Sequence, residues 1–196
     1  MPVNRSIPDV AQKRKDWNGL ISGFKASDLV FLDESGCNTD MTRRYADSLG
    51  ESRAVDSAPL SKPKNTTILS SIQLDGTLRY TTFSGGTTVE RFKRYLETDL
   101  LPHLNGNSVL IMDNMKSHHA KAVRNLLDSS GVRYIYLPPY SPDLNPIEKL
   151  WSKVKAFLRK FKARTLDALP NAIQNAFHSV TISDCSGWFR FCGYAL

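Results

Sequence analysis

Three acidic residues stand where the chain can hold a side chain still. Asp33 closes the apolar run Leu29-Val30-Phe31-Leu32, Asp113 closes Val109-Leu110-Ile111-Met112, and Glu148 follows Asn145-Pro146-Ile147 at the head of a long amphipathic segment. Two aspartates on buried strands and a glutamate on a packed helix would make a preorganised, oxygen-only ligand set. Gathering three carboxylates without cations is costly, because like charges a few ångströms apart raise each other's pKa. Divalent ions would remove that cost. Oxygen-only coordination selects Mg²⁺ or Mn²⁺ over Zn²⁺, and two ions about 3.5 to 4 Å apart can activate an attacking oxygen and stabilise a leaving one across a phosphate. Each acid alone has an ordinary explanation. Asp at a strand end is commonly a turn residue, and Asn145-x-x-Glu148 fits a capping box, in which the glutamate folds back on the cap residue's amide. Capping and catalysis are both open for Glu148 on its own stretch; the presence of Asp33 and Asp113 favours catalysis.

The elements that must position these acids follow from pattern. Pro138, Pro139 and Pro142 restrain the backbone before Asn145, Asn145 offers a capping side chain, and Pro146 presets φ, so a helix is predicted to begin at Pro146. Ile147, Leu150, Trp151, Val154, Phe157, Leu158 and Phe161 recur at helical spacing and give it one buried face. At about 100° per residue, Ser152, Lys155, Arg159 and Lys162 fall within roughly 40° of Glu148. Upstream, Leu29 to Asp33 reads as a buried strand, with Glu34 pointing to the opposite face by alternation. Ser35-Gly36 reads as a turn and Cys37 to Tyr45 as a possible second strand. Gly50 to Leu60 reads as an irregular loop. Thr66 to Leu74 and Thr77 to Phe83 flank Asp75-Gly76, a hairpin signal, so a three-stranded antiparallel meander is expected. Thr87 or Thr88 caps a helix running from Val89 to Leu101, closed by Asn105-Gly106. A strand ending at Asp113, a helix from Ala120 to Leu127, a strand from Val132 to Leu137 and helices over Thr165 to Phe177 and Ile182 to Leu196 complete the order. The expected fold is α/β: a mixed five-stranded sheet flanked by helices, a succession that resembles the ribonuclease H-like fold. Met1 to about Ser27 is read as a linker or one short helix, and residues 28 to 196 as the catalytic domain.

Composition narrows the function classes. A 196-residue chain with 41% hydrophobic and 23% charged residues has enough apolar material for one globular core. No apolar run approaches the ~20 residues that span a bilayer, and no signal peptide is evident, so no membrane partner and a cytoplasmic location are expected. Cys37, Cys185 and Cys192 lack metal-site spacing, and their odd number argues against a disulfide framework. The net charge of +7 is concentrated between Ile147 and Arg164, where Lys149, Lys153, Lys155, Arg159, Lys160, Lys162 and Arg164 face the single acid Glu148. Such a strip attracts phosphates, and Lys149, Ser152, Lys155, Arg159 and Lys162 are the candidate DNA contacts.

Three blocks carry a family resemblance. Phe31-Leu32-Asp33-Glu34-Ser35-Gly36, Ile111-Met112-Asp113-Asn114 followed by His118, and Leu137 to Trp151 (LPPYSPDLNPIEKLW) resemble the signature blocks of the mariner-type DDE transposases, bacterial insertion-sequence branch. The third block is highly specific, and the 34 residues between Asp113 and Glu148 are similar to that group's spacing. The resemblance implies a cut-and-paste transposase catalytic domain in which Asp33, Asp113 and Glu148 hold two Mg²⁺ ions, with Mn²⁺ as a substitute. It implies double-stranded DNA partners, both transposon ends and target, a homodimer on DNA, and a nucleoid-associated location. DNA would be cleaved at the element's ends and the freed 3′-hydroxyl would attack target DNA. Family members carry N-terminal helix-turn-helix modules, for which residues 1 to 27 offer no room; a frameshift-joined upstream half, a truncated remnant and a separately encoded partner are the three expectations.

Other residues draw weaker readings. Asn114, His118 and Asn145 are expected around the acids rather than among the ligands, and His118-His119 is not read as a zinc site. Asp143 is expected to bond its own backbone rather than replace Glu148. Tyr140 and Ser141 lack the basic surroundings of a covalent nucleophile, and Trp151 is read as core. A structure-specific nuclease of the same fold and an inactive, co-opted DNA-binding protein remain alternatives to the transposase.

Overall fold

The computed structural model describes residues 8–42 and 65–194. Five strands form one mixed sheet: β1 (Leu29–Asn38), β2 (Asn65–Gln73), β3 (Leu78–Ser84), β4 (Val109–Met112) and β5 (Arg133–Tyr136), in the order β3-β2-β1-β4-β5. β1, β2 and β3 are antiparallel neighbours, the expected meander, while β4 and β5 run parallel to β1. The Asp75-Gly76 hairpin closes with Gly76 at φ +87°, a conformation glycine adopts without penalty, and with the Thr77 amide donating to Asp75 Oδ1 at 2.8 Å.

One strand is longer than its sequence suggests. Ser35-Gly36 is no turn: β1 continues through it to Asn38, pairing Ser35 with Ile68, Gly36 with Thr67 and Cys37 with Thr66. Ladder bonds to β2 outweigh the weak strand propensity of Ser-Gly, and of the separate strand expected from Cys37 only Cys37 and Asn38 are strand, the last two residues of β1. Residues 43–45 of that expectation, and the Gly50 to Leu60 loop, lie outside the described residues.

Helices cover both faces. α1 (Pro8–Ile21), α4 (Ile147–Phe161), α5 (Ala168–His178) and α6 (Ile182–Phe191) share a core with Phe31, Ile68, Ile72 and Ile111, to which α1 contributes buried Trp17. α2 (Val89–Tyr95), which winds on through a wider π turn to Leu100 and a 3₁₀ turn to His103, and α3 (Lys121–Ser130) cover Val30, Leu32, Leu69, Leu110 and Met112. Thr88 caps α2 as expected, its hydroxyl accepting from the Arg91 amide at 3.3 Å. Strand alternation therefore splits β1: Phe31 lies on the α4 side, Val30 and Leu32 on the α2 side. Among the described residues no helix is long and apolar enough to cross a membrane.

The start of α4 corrects one expectation. Asn145 makes no side-chain cap bond; its amide donates to the Pro142 carbonyl at 3.2 Å, and its Oδ1 is buried without a hydrogen-bond partner. The 3₁₀ turn Pro142–Leu144 thus occupies the N–H on which a capping glutamate would fold back. Glu148 instead donates its own amide to the Asn145 carbonyl, 3.1 Å away.

Candidate active site

Register brings two of the acids together. Leu32 pairs with Met112 across parallel β1 and β4, so Asp33 and Asp113 are the next residues of neighbouring strands at the same end. Glu148, in the first turn of α4, joins them. All three line one open cleft of about 440 Å³, walled by Asn114, Met115, Leu137 to Pro142 and Asn145.

Each aspartate is held by donors. Asp33, 8% exposed, accepts the Trp151 indole N–H on Oδ2 at 3.0 Å and the Glu34 amide on Oδ1 at 2.8 Å. Burial pushes its carboxyl up to about 7; the charges of Asp113 and Glu148 add to the rise, and the two hydrogen bonds oppose it. Asp113 Oδ1 lies 2.9 Å from His118 Nδ1 and accepts the Met115 amide at 3.0 Å. Although burial works the other way, these contacts and the charge on His118 hold the Asp113 carboxyl below the ordinary carboxylate range. Glu148 is raised by partial burial and by Asp113, against the pull of Lys155. Asp33 is therefore pushed toward its neutral form mainly by burial, with the charges of Asp113 and Glu148 adding to it.

The acids do not converge on a single point: among the described residues no three of His, Cys, Asp and Glu are gathered closely enough to hold one ion. The three acids offer only oxygen donors, a set that suits Mg²⁺ or Mn²⁺ rather than Zn²⁺. The adjacent histidines diverge, as expected: His118 is fully buried and stacked on Phe92 at 4.2 Å, while His119 stacks on Tyr136 at 4.0 Å and reaches Asn114 Oδ1 at 3.3 Å. Asn114 Nδ2 donates to the Leu137 carbonyl, tying the end of β4 to the proline-rich wall.

On α4, Ser152, Lys155 and Arg159 share the Glu148 side, and Lys155 is near enough to influence both Glu148 and Cys37. Lys162 sits past the last turn, in a left-handed conformation with φ +55°. Lys149 stands apart: about 100° round the helix from Glu148, its ammonium lies 3.8 Å above the Phe191 ring of α6. Lys153 pairs with Asp184 at 2.5 Å.

Two partnerships had no local signal. Trp151, read as core and indeed 3% exposed, also grips Asp33, 118 residues away in sequence. Arg14 of α1 spans to the cleft wall, with 2.6 and 3.2 Å contacts to the two Asp143 oxygens and a 2.5 Å bond to Ser141 Oγ. Asp143 is thus tied to α1, and it does not line the cleft. Ser141 Oγ, buried, donates to the Pro139 carbonyl at 3.1 Å and so lacks the exposure a nucleophile needs.

A prediction follows for Trp151. Trp151→Phe keeps an aromatic ring in the core but removes a donor to the ionised Asp33, so the carboxyl should rise further. A pH titration of the Asp33 carboxyl carbon by NMR in the metal-free wild type and variant checks this; an unshifted profile would contradict it.

Comparison with known proteins agrees with this fold. The Tc1 transposase of Caenorhabditis elegans is 30% identical over 97 residues, covering 47% of this chain and 36% of that protein. Mos1 transposase in a paired-end complex with the left transposon end superposes with a TM-score of 0.79 at 16% identity, over 94% of this chain and 59% of that one. The isolated Mos1 catalytic domain, solved with raltegravir and Mg, gives 0.69 at 16% identity over 92% and 88%. This chain therefore spans little more than a third of the curated relative and under two thirds of the Mos1 chain in the paired-end complex, while covering 88% of the isolated catalytic domain. The fold is ribonuclease H-like, as the sheet order and these neighbours agree. Residues 28–170, which carry Asp33, Asp113 and Glu148, match the family described as the DDE superfamily endonucleases, and the chain belongs to that family.

Proposed function

We propose that this chain is the catalytic domain of a DNA transposase, with Asp33, Asp113 and Glu148 as catalytic residues and ligands of two divalent cations, Mg²⁺ or Mn²⁺. The observation that carries the reading is the cleft itself: three carboxylates from two adjacent strands and a packed helix, with Asp33 pushed up to about 7 by burial and by the other two. When bound, two such ions supply activation of an attacking oxygen and neutralisation of a leaving one on either side of a phosphate. The protein's own part is positional. Trp151 and the Glu34 amide fix both oxygens of Asp33, His118 and the Met115 amide fix Asp113, and the buried face of α4 fixes Glu148. Lys155 and Arg159, with Ser152, continue the Glu148 side of α4 and, with Lys162 just past its end, would bind the DNA backbone beside the cleft. Asn114 and Asn145 shape its walls.

We extend the reading to two copies acting on paired DNA ends, on the likeness to a transposase captured as a paired-end complex, and to terminal-repeat recognition by helix-turn-helix modules, on the family resemblance of the three sequence blocks. Supercoiled plasmid incubated with this protein, a duplex carrying a free 3′-hydroxyl end and Mn²⁺ or Mg²⁺ should give joined products. Cleavage without joining would instead indicate a structure-specific nuclease, and salt-sensitive binding without either reaction a co-opted DNA-binding protein.

A further inference from the structure

Glu34 follows a ligand residue in sequence yet belongs to the opposite side of the sheet, and no role in the reading above uses its side chain. It is an unusual residue to find there. Its carboxylate is 9% exposed, and neither oxygen makes an aligned hydrogen bond. A buried glutamate in that condition is costly unless a charge faces it. What faces it is His118, whose Nε2 lies 3.2 Å from Glu34 Oε2, a distance for an ion pair although the angle is poor for a hydrogen bond.

The ring of His118 has no freedom to do otherwise. It is wholly buried, stacked on Phe92, and its backbone is tied at both ends: its amide donates to the Met115 carbonyl at 3.0 Å, and its carbonyl accepts the Tyr136 hydroxyl at 3.0 Å. Nε2 faces Glu34, and Nδ1 lies 2.9 Å from Asp113 Oδ1 and 3.3 Å from the Asp113 carbonyl, so the ring is clamped between the two acids. Glu34, His118 and Asp113 thus form a continuous chain from the α2 side of the sheet to the cleft.

We propose that Glu34 is a positioning residue for Asp113: through His118 it holds the Asp113 carboxylate in the orientation that binds a divalent cation. This rests on the metal-binding reading of the cleft. Without Glu34 the imidazole loses its anchor on the far side, and Asp113 is held by a looser partner. Partners one shell removed from a metal ligand commonly govern affinity by about 10- to 100-fold.

The test is Mn²⁺ binding by isothermal titration calorimetry, with thermal melts on the same samples, for wild type, Asp113→Asn, Glu34→Leu and Glu34→Gln. Glu34→Leu should weaken Mn²⁺ binding about tenfold or more while melting within a few degrees of wild type, because His118 keeps Asp113 as its partner and no charge is stranded. Glu34→Gln retains an acceptor for Nε2–H and should fall between the two. Wild-type affinity in Glu34→Leu would overturn the proposal, and so would a loss of affinity that merely tracks a loss of stability across both Glu34 variants. Failure of wild type to bind Mn²⁺, or undiminished binding by Asp113→Asn, would overturn the metal-binding reading itself, and the role of Glu34 with it.

Discussion

Asp33→Asn is expected to abolish metal-dependent DNA cleavage while raising the thermal stability of the metal-free protein. The two effects share one cause. Asp33 is buried beside two other acids, and its carboxyl is pushed up to about 7 from an ordinary value near 4. Below pH 4 it is protonated in both the folded and unfolded chains and costs nothing. Between pH 4 and 7 the unfolded chain releases that proton and the folded one does not, so stability is lost as pH rises, by up to about 4 kcal/mol for a carboxyl raised to about 7. Asparagine carries no charge and escapes this loss. It has one acceptor oxygen for two donors, Trp151 Nε1 and the Glu34 amide, which returns about 1 to 2 kcal/mol. The variant should therefore melt about 5 °C above wild type at pH 8 in the presence of a chelator, with a smaller gap at pH 5. Saturating Mn²⁺ should raise the wild-type melting temperature at pH 8 and leave the variant nearly unmoved. Melting of Asp33→Asn below wild type at pH 8 would contradict this account of the cleft.

Glu148→Gln carries the second large effect. A ligand that stabilises transition-state charge contributes several kcal/mol, so cleavage should fall by roughly three orders of magnitude. The fold should be indifferent. Ile147, Leu150, Trp151 and Val154 keep α4 on the core, and the Asn145 amide is already bonded to Pro142, so no cap is lost. Retention on DNA at moderate salt should also persist, since Lys155 and Arg159 are untouched. A drop of several degrees in melting temperature would restore the capping role to Glu148.

Much of this site was legible before any coordinates, and the reason is periodicity. Leu29 to Asp33 and Val109 to Asp113 read as buried strands because each is an unbroken apolar run ending in an acid. Their parallel pairing then follows from the connection between them, through a meander and a helix. α4 was legible because its apolar residues recur at helical spacing from Ile147 to Phe161. What escaped depends on partners remote in the chain. Ser35-Gly36 reads as a turn until β2 is laid beside it. Asn145 reads as a cap until the Pro142–Leu144 turn claims its amide. Trp151 reads as core because its bond to Asp33 spans 118 residues, and Arg14 reads as one more surface charge because Asp143 lies 129 residues away. Local pattern fixes which face a residue occupies, and only the assembled fold fixes what it touches.

The most direct measurement is nicking of supercoiled plasmid by the purified protein with Mg²⁺ or Mn²⁺, beside Asp113→Asn prepared in the same way. The account predicts nicking by the wild type alone, abolished by a chelator. Equal nicking by both proteins, or nicking that survives removal of the metal, would contradict a cation-dependent active site built on Asp33, Asp113 and Glu148.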